Sequence, residues 1–311
     1  MVTEALAAAF AARRALGLPD EQTTAYRLVH AEGEGALTVD VYGEFAVASF
    51  YDEIDPAWLD ALAPHFAGVY LKHRPKQAND VGEQERAERA PAQAVRGRDA
   101  SSPLLVLENG VPFEVRLGEG FSTGIFLDQR DNRARVMELA VGKSVLNLFA
   151  YTCGFGVAAA FAGASRTVNI DVAKNVLERG RLNYALSHLE GEFLARDVFE
   201  TLPKLHRRGE RFDLVVLDPP SYASTKRGRF SVERDYPALA QIALDLLADQ
   251  GTLLACLNHH KLTERDLETA LRSAASRAGR TIRGLDFAPV PADHTPARGR
   301  QPHLKSAWIR S

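Results

Sequence analysis

SVLNLFAYTCGFGV, residues 144–157, is the stretch that decides the fold. Val145 to Phe149 is a short apolar run of the length of a buried strand. Tyr151 to Gly156 is a turn of small residues, and Val157 to Ala162 reads as a helix. A strand that ends in a glycine turn and opens a helix leaves backbone N–H groups aimed at open space. That arrangement takes a nucleotide or a carboxylate.

Working downstream, the period becomes regular. Arg166 to Asp171 reads as a strand and Ala173 to Leu186 as a helix; Phe193 to Asp197 and Phe212 to Asp218 are further strands. A helix over Tyr236 to Ala248, a strand over Gly251 to Leu257 and a helix over Thr263 to Ala278 follow, and two short strands close the chain. Strands alternating with helices of this length predict an α/β fold, a parallel sheet covered on both faces.

Upstream, Thr3 is placed to cap a helix running to about Leu16, with Gly17 and Pro19 stopping it. Tyr26 to Val29 and Leu37 to Tyr42 look like strands, and Gly43-Glu44 turns the second into Phe45 to Phe50. Trp58 to Phe66 reads as a short helix and Gly68 to Lys72 as another strand, giving a smaller α+β unit. From Lys72 to Arg98 the apolar pattern gives way to charge, Gln, Gly and Pro, which predicts a flexible or solvated connection. Arg74, Lys76, Arg86, Arg89, Arg96 and Arg98 would alternatively lie along RNA, diluted by Glu83, Glu85 and Glu88. Leu104 to Glu108 and Val111 to Val115 flank Asn109-Gly110, a strong hairpin signal. The polar half of Phe121 to Arg133 opens a helix continuing to about Val141. The expected division is a domain at 1–118 and a domain at 119–311.

Composition narrows the classes. The 311 residues are 46% hydrophobic and 25% charged, ordinary for a soluble globular protein. Two cysteines and no CxxC pair argue against a disulfide framework or zinc site, and predict a reducing, cytoplasmic setting. Glu4, Arg13 and Arg14 break the pattern of a signal peptide, and no apolar run approaches the ~20 residues of a membrane span. A formal net charge of −2 speaks against non-specific coating of nucleic acid but leaves room for docking through a local basic patch.

Gly154-Phe155-Gly156-Val157-Ala158-Ala159 fits the dinucleotide fingerprint with alanine in the third place, and Asp171 follows where an acid binds a ribose. On those residues an NAD-dependent oxidoreductase stays open. Asp197 ends the third strand, and Asp218-Pro219-Pro220-Ser221-Tyr222 ends the fourth, all at one rim of a parallel sheet. The FLDQRDNR segment ahead of the sheet has no obvious use in a nicotinamide site.

NLFAYTCGFG, NIDVAKNVLERGRLN, ARDVF, DLVVLDPPSY and FSTGIFLDQRDNR together resemble class I S-adenosylmethionine-dependent methyltransferases, and more closely those that modify a base of large-subunit ribosomal RNA. The likeness runs from about Tyr26 to the end, so the N-terminal PUA domain that many members carry is expected to be missing. It implies a Rossmann-like sheet, mostly parallel with an antiparallel last strand, beside a smaller α+β domain that docks RNA. The cofactor would be S-adenosylmethionine and the partner ribosomal RNA or a precursor particle, with no membrane.

Carried over residue by residue, the resemblance implies that Asn147, Phe149, Tyr151, Gly154 and Gly156 shape the methionine end of the cofactor site. Asp171 with Val172 would take the ribose, Asp197 with Val198 the adenine, and Asp218 would lie near the transferred methyl. Leu127, Asp128, Gln129 and Arg130 would close over the methionine end. Cys153 stands where the family usually has glycine and is read as a small tolerated residue.

The acceptor atom turns on a cysteine. Cytosine carbon 5 is a poor nucleophile and needs a thiolate added at carbon 6. Counted from Gly251, Asn258 occupies the position of that cysteine in the cytosine-modifying branch; Cys256 sits two residues earlier, roughly 6–7 Å back along a strand. Guanine N7 already has a lone pair and needs only positioning. The stretch DPPSYASTKRGRFSVERDY and the turn after the fifth strand look similar to the guanine-N7 branch. An exocyclic amine is the third option, with Asp218 and Pro219 accepting its protons and Tyr222 stacking on a flipped base. A nitrogen acceptor is therefore preferred, with Asp218, Pro219, Pro220 and Asn258 at the transfer site. Lys226, Arg227 and Arg229 are the expected phosphate contacts, and Arg298 and Arg300 a second candidate. His259-His260 would diverge on a strand and lacks a third ligand nearby, so no metal is expected. Besides the NAD enzyme, an RNA-binding module without catalysis remains as a rival.

Overall fold

The computed structural model describes residues 2–31, 37–75, 82–225, 228–296 and 301–311. They form two compact units, Met1–Arg130 with Pro291–Arg300, and Asp131–Val290 with Gln301–Ser311. The break thus falls inside the LDQRDNR segment rather than at 118/119, and a late stretch of chain returns to the first unit.

The first unit begins with α1 (Val2–Ala15), in which Thr3 is already helical rather than the cap. Its sheet takes β1 (Ala25–Ala31), β2 (Leu37–Tyr42), β3 (Phe45–Phe50), β4 (Gly68–His73) and β5 (Arg96–Gly97) in sequential order. The expected β2–β3 hairpin is present, and β4 adds parallel to β3 after α2 (Pro56–Leu62). Helix α1 lays Leu6 on a core of Leu28, Val39, Val41, Leu59 and Leu62. The stretch expected as a flexible connection carries α3 (Glu83–Arg89) and β5. Helix α3 buries none of its residues, so it shows no apolar period; acids in its first turn and Arg86 and Arg89 in its last suit the helix dipole instead. Strands β6 (Leu104–Glu108) and β7 (Val111–Val115) form the predicted hairpin, with Asn109 and Gly110 at φ 50° and 78°.

The second unit follows α4 (Arg130–Ala140) with β8 (Ser144–Leu148), α5 (Gly154–Phe161), β9 (Arg166–Asp171), α6 (Lys174–Ala185) and β10 (Glu192–Ala195). Then come α7 (Val198–Arg207), β11 (Phe212–Leu217), the strands β12 (Tyr222–Thr225) and β13 (Gly228–Ser231), α8 (Val232–Asp245) and β14 (Leu247–Asn258). Helix α9 (Glu264–Arg277), β15 (Gly284–Ala288) and β16 (Leu304–Arg310) complete it. The seven-stranded sheet has the order β10-β9-β8-β11-β14-β16-β15. Its first five strands are parallel, and β16 runs antiparallel to both neighbours. This is the Rossmann-like sheet expected from the sequence. Core side chains such as Leu146, Val215, Leu239 and Leu271 pack one face, and Val145, Val216, Leu254 and Trp308 the other.

Two local features differ from the sequence-based expectation. Strand β10 stops at Ala195, and Asp197 instead caps α7, accepting from Phe199 N at 2.7 Å. The segment after Asp218, given no element from the sequence, pairs β12 antiparallel with β13.

Candidate cofactor and acceptor site

Strand β8 lies at the point where the sheet order reverses, with β9 on one side and β11 on the other. In an open parallel sheet the ligand crevice opens at the carboxyl ends of such a pair. The turn after β8 is held in an uncommon shape: Phe149, Tyr151 and Cys153 have φ of 57°, 50° and 64°. Left-handed non-glycine residues cost of order 1 kcal/mol each and persist only where neighbours enforce them. Here Ala150 N donates to Ile170 O (3.0 Å), Tyr151 N to Asp171 Oδ2 (2.9 Å) and Cys153 N to Ala150 O (2.7 Å). Burial, and then Asp171, push the Cys153 thiol far up, so it stays protonated and chemically quiet.

Cys153 gives α5 no side-chain cap, and the first turn of α5 carries no acid. A helix start of this kind suits a carboxylate. Arg133 is buried beside this turn, its guanidinium 5.7 Å from the centre of the Phe155 ring. A Cβ on Gly154 would lie 3.5 Å from Arg133 Cδ. Gly156 is required for packing: a Cβ there would overlap Asn169 Oδ1 and the Tyr184 hydroxyl, so its bare backbone lets α5 close onto β9. Under it runs a buried chain of hydrogen bonds. Asn147 Nδ2 donates to Asn169 Oδ1 (2.9 Å), Asn169 Nδ2 to the Tyr184 oxygen (2.9 Å), and the Tyr184 hydroxyl to Thr167 Oγ1 (2.8 Å).

Asp171 ends β9 half-buried, its second oxygen accepting from Ala173 N (2.9 Å). Each carboxylate oxygen thus has one backbone partner and a further lone pair. Val172 beside it is 71% exposed, an apolar surface at the rim. Asp197 is drawn close because Arg196 N donates to Asp171 O (2.9 Å). Its two capping bonds both fall on Oδ1, while Val198 packs into the core. Phe149, Phe199 and Phe230 form a row of rings with centroids 6.3 and 5.2 Å apart, joining the β8 turn to the β12–β13 hairpin.

On the other side of the crevice, Asp218 is half-buried, Pro219 buried and Pro220 exposed after β11. Ser221 Oγ donates to Asn258 O at the end of β14, tying the two strand ends together. Asn258 is exposed. Cys256 is fully buried inside β14, its Sγ 3.8 Å from Ser306 Oγ of β16. Tyr222 is 54% exposed, and its hydroxyl is 3.3 Å from His259 Nε2. His259 and His260 follow β14 and stack, centroids 5.1 Å apart at 21°, rather than diverging.

Asp171, Asp197, Asp218 and Asn258 thus come to one edge of the sheet. Leu127, Asp128 and Gln129 form a 3-10 turn of the first unit. Arg130, expected to reach the methionine end, is buried, and its Nη2 and Nη1 donate to Asp293 Oδ1 and Oδ2 (2.7 and 3.0 Å). Arg133, three residues on, is the arginine of QRDNR that lies beside the α5 turn, and the sequence offered no means of telling the two apart. Lys226, Arg227, Arg298 and Arg300 lie outside the described residues, as does the Arg229 side chain. Among the described residues no group of three metal-ligating side chains occurs, and no helix is long and apolar enough to cross a membrane.

Residues 39–305 match the family model for S-adenosylmethionine-dependent methyltransferases. The chain belongs to this family. A ribosomal RNA large subunit methyltransferase I of Aeromonas salmonicida is 34% identical, aligned over 87% of this chain and 70% of that one. A ribosomal RNA large subunit methyltransferase of Deinococcus radiodurans is 33% identical over 93% and 72%. Among solved structures, a candidate methyltransferase complexed with SAH superposes with a TM-score of 0.87 at 29% identity, covering 100% of this chain and 81% of that one. The methyltransferase therefore binds S-adenosylmethionine, and its glycine turn is not a nicotinamide site. The site suits that group: the α5 N-terminus beside Arg133 matches a carboxylate, and the strand-end aspartates match hydroxyls, an amine and a sulfonium.

Proposed function

We propose that this methyltransferase modifies a ring or exocyclic nitrogen of a base in large-subunit ribosomal RNA, with guanine N7 ahead of cytosine carbon 5. The RNA class is supported by the relatives' names. The nitrogen acceptor is supported by one observation: Cys256 is sealed inside β14 against Ser306, and exposed Asn258 stands at the rim instead. Without a thiolate at the rim, carbon-5 chemistry has no nucleophile.

When bound, the cofactor supplies a methyl group on a cationic sulfur. Asp171 is assigned to the ribose hydroxyls and Val172 to an apolar contact beside them. The Asp197 Oδ2 takes the adenine amine. The N-terminus of α5 and Arg133 hold the methionine carboxylate, a role that passes from Arg130 to Arg133; Arg130 anchors the LDQ turn through Asp293 instead. Asn147 acts from below, through Asn169, to keep the strained turn of Phe149, Tyr151 and Gly154 in place. Asp218 and Asn258 flank the acceptor base, and Tyr222 lies against it. The guanine N7 lone pair forms the new bond to the methyl carbon as the carbon–sulfur bond breaks. No proton is lost, so positioning is the main demand on the protein. Lys226, Arg227 and Arg229 are assigned to phosphates, and the first unit to RNA docking in the cytoplasm.

The test is transfer of labelled methyl groups to unmodified 23S transcript, to isolated large-subunit particles and to 16S transcript, followed by mass mapping. Transfer to the 23S RNA or its particle, and none to 16S, is expected. Cys256→Ser is expected to stay active; complete loss of transfer by a folded Cys256→Ser protein would restore the cytosine reading.

A further inference from the structure

His259 sits directly behind Tyr222, and its tautomer follows from its partners. Lys261 N lies 3.3 Å from His259 Nδ1, and a backbone N–H can only donate, so Nδ1 accepts. In a neutral imidazole the hydrogen is then on Nε2. Burial favours the neutral ring, outweighing the nearby Glu233 carboxylate, with His260, Lys261 and Lys305 acting in the same direction as burial. Nε2 faces two oxygens at equal range, the Tyr222 phenol (3.3 Å) and Glu233 Oε1 (3.3 Å). The Nε2–H is shared between them. The Tyr222 oxygen is thereby an acceptor from behind, and its own O–H is left to donate forward from an exposed ring.

The backbone that carries the imidazole is anchored on both sides. His259 N donates to His303 O (3.1 Å), and Lys305 Nζ donates to His259 O (2.6 Å). Ser221 Oγ, next to Tyr222, is bonded to Asn258 O, next to His259, so the two residues are held in register.

We propose that His259 is a positioning residue that sets the Tyr222 hydroxyl as a hydrogen-bond donor to the acceptor base, and that this donor selects guanine. The proposal rests on the reading that the base lies between Asp218 and Asn258. The selectivity follows from base chemistry. Beside guanine N7 lies O6, an acceptor that a phenol hydrogen satisfies. Beside adenine N7 and beside cytosine carbon 5 lie amino groups, which are donors. A fixed donor at the rim pairs with the first and opposes the other two.

The experiment uses the full-length protein and an oligoribonucleotide spanning the mapped site, with guanine or 2-aminopurine at the target; 2-aminopurine keeps N7 and lacks O6. Native protein is expected to lose about tenfold in kcat/KM on 2-aminopurine, the size of one well-placed hydrogen bond. Tyr222→Phe is expected to lose a similar factor on guanine, with cofactor affinity unchanged, and to lose nothing more on 2-aminopurine. His259→Ala should behave like Tyr222→Phe. His259→Gln, whose amide offers an acceptor oxygen and a donor nitrogen, should recover most of the activity. If Tyr222→Phe or His259→Ala keeps the guanine preference, or if the two losses multiply, the assignment is overturned. Mapping of the native methyl to adenine or to cytosine carbon 5 also overturns it while leaving the RNA methyltransferase reading intact. No transfer to any ribosomal RNA by native protein overturns that reading, and this proposal with it.

Discussion

Asp171 carries two loads, because the carboxylate that faces the crevice also holds Tyr151 N and Ala173 N in the strained turn. Asp171→Asn keeps one acceptor oxygen and loses the charge. Calorimetry should show S-adenosylmethionine binding weakened roughly 10- to 100-fold, about 1.4–2.8 kcal/mol for a lost charged hydrogen-bonding pair. An unchanged affinity would remove Asp171 from the site. Cys153 shows a different kind of residue-level dependence. It holds a left-handed φ of 64° that glycine would adopt without strain, and its sulfur fills the space over Gly180, where any Cβ would overlap Sγ. Gly180→Ala should therefore destabilise the protein by ~1–3 kcal/mol, the usual range for overpacking. Adding Cys153→Gly should return most of that loss, a non-additive pair measurable by urea denaturation. Additive losses would mean that the two positions do not share the space.

At the scale of elements, Lys72 shows how a strand can hide a charge. It is fully buried on β4, with Nζ donating to Gly120 O at 2.5 Å, and burial, helped by Arg74, pushes its pKa down to about 8. The folded value lies below the ordinary ~10.4 of an unfolded lysine. Between the two, the unfolded chain binds a proton that the folded chain has released, so stability rises with pH across that window. Below about 8 the full cost of the buried ammonium is present. Comparing wild type with Lys72→Met by urea melts at pH 7 and pH 10 isolates this group; the stability difference should shift toward the wild type by up to ~3 kcal/mol at the higher pH. A pH-independent difference would mean that Lys72 does not titrate in that window. Such a residue also marks the limit of reading elements from sequence. The apolar strands β8, β9, β11 and β14 were legible because both faces of a parallel sheet are buried. Helix α3 was not, since it has no buried face. Helix α7 had a signal that went unread: Asp197 with Glu200 three residues on, and Val198, Leu202 and Leu205 on one face. Near the sheet rim, the positions of Asp171 and Asp218 after their strands were legible, whereas the burial of Arg130 depended on Asp293, a partner 163 residues away in sequence.

At the scale of the whole molecule, the return of Pro291–Arg300 to the first unit makes that unit discontinuous in sequence. Asp293 is fully buried and receives hydrogen bonds from both Arg130 terminal nitrogens and from Arg27 N (2.9 Å), with His294 Nδ1 at 3.2 Å. Arg27 in turn pairs with Asp40 at 2.8 Å, and Arg13 donates to the Asp293 backbone oxygen at 3.1 Å. These contacts hold the Asp293 carboxyl far below the usual range despite its burial, and Arg27 lowers that of Asp40. Depressed folded values mean that both carboxylates stabilise the fold above their unfolded pKa of ~3.9, and that this contribution is lost as pH falls below it. Removing Asp293 takes from buried Arg130 the carboxylate paired with it, a change that costs about 3–5 kcal/mol when one partner of a buried pair is deleted. Asp293→Ala in the full chain should therefore lower stability by that order and raise hydrogen exchange in β1 and β2, with exchange in β8 and β11 unaffected. Asp293→Asn should flatten the loss of stability between pH 5 and pH 3 relative to wild type. The same logic predicts that a fragment ending at Arg130 will not fold stably, since it contains Arg130 and not Asp293, the carboxylate paired with it. A cooperative thermal transition from that fragment, at the temperature of the full chain, would show that the returning segment is dispensable and that the charge cluster is satisfied some other way.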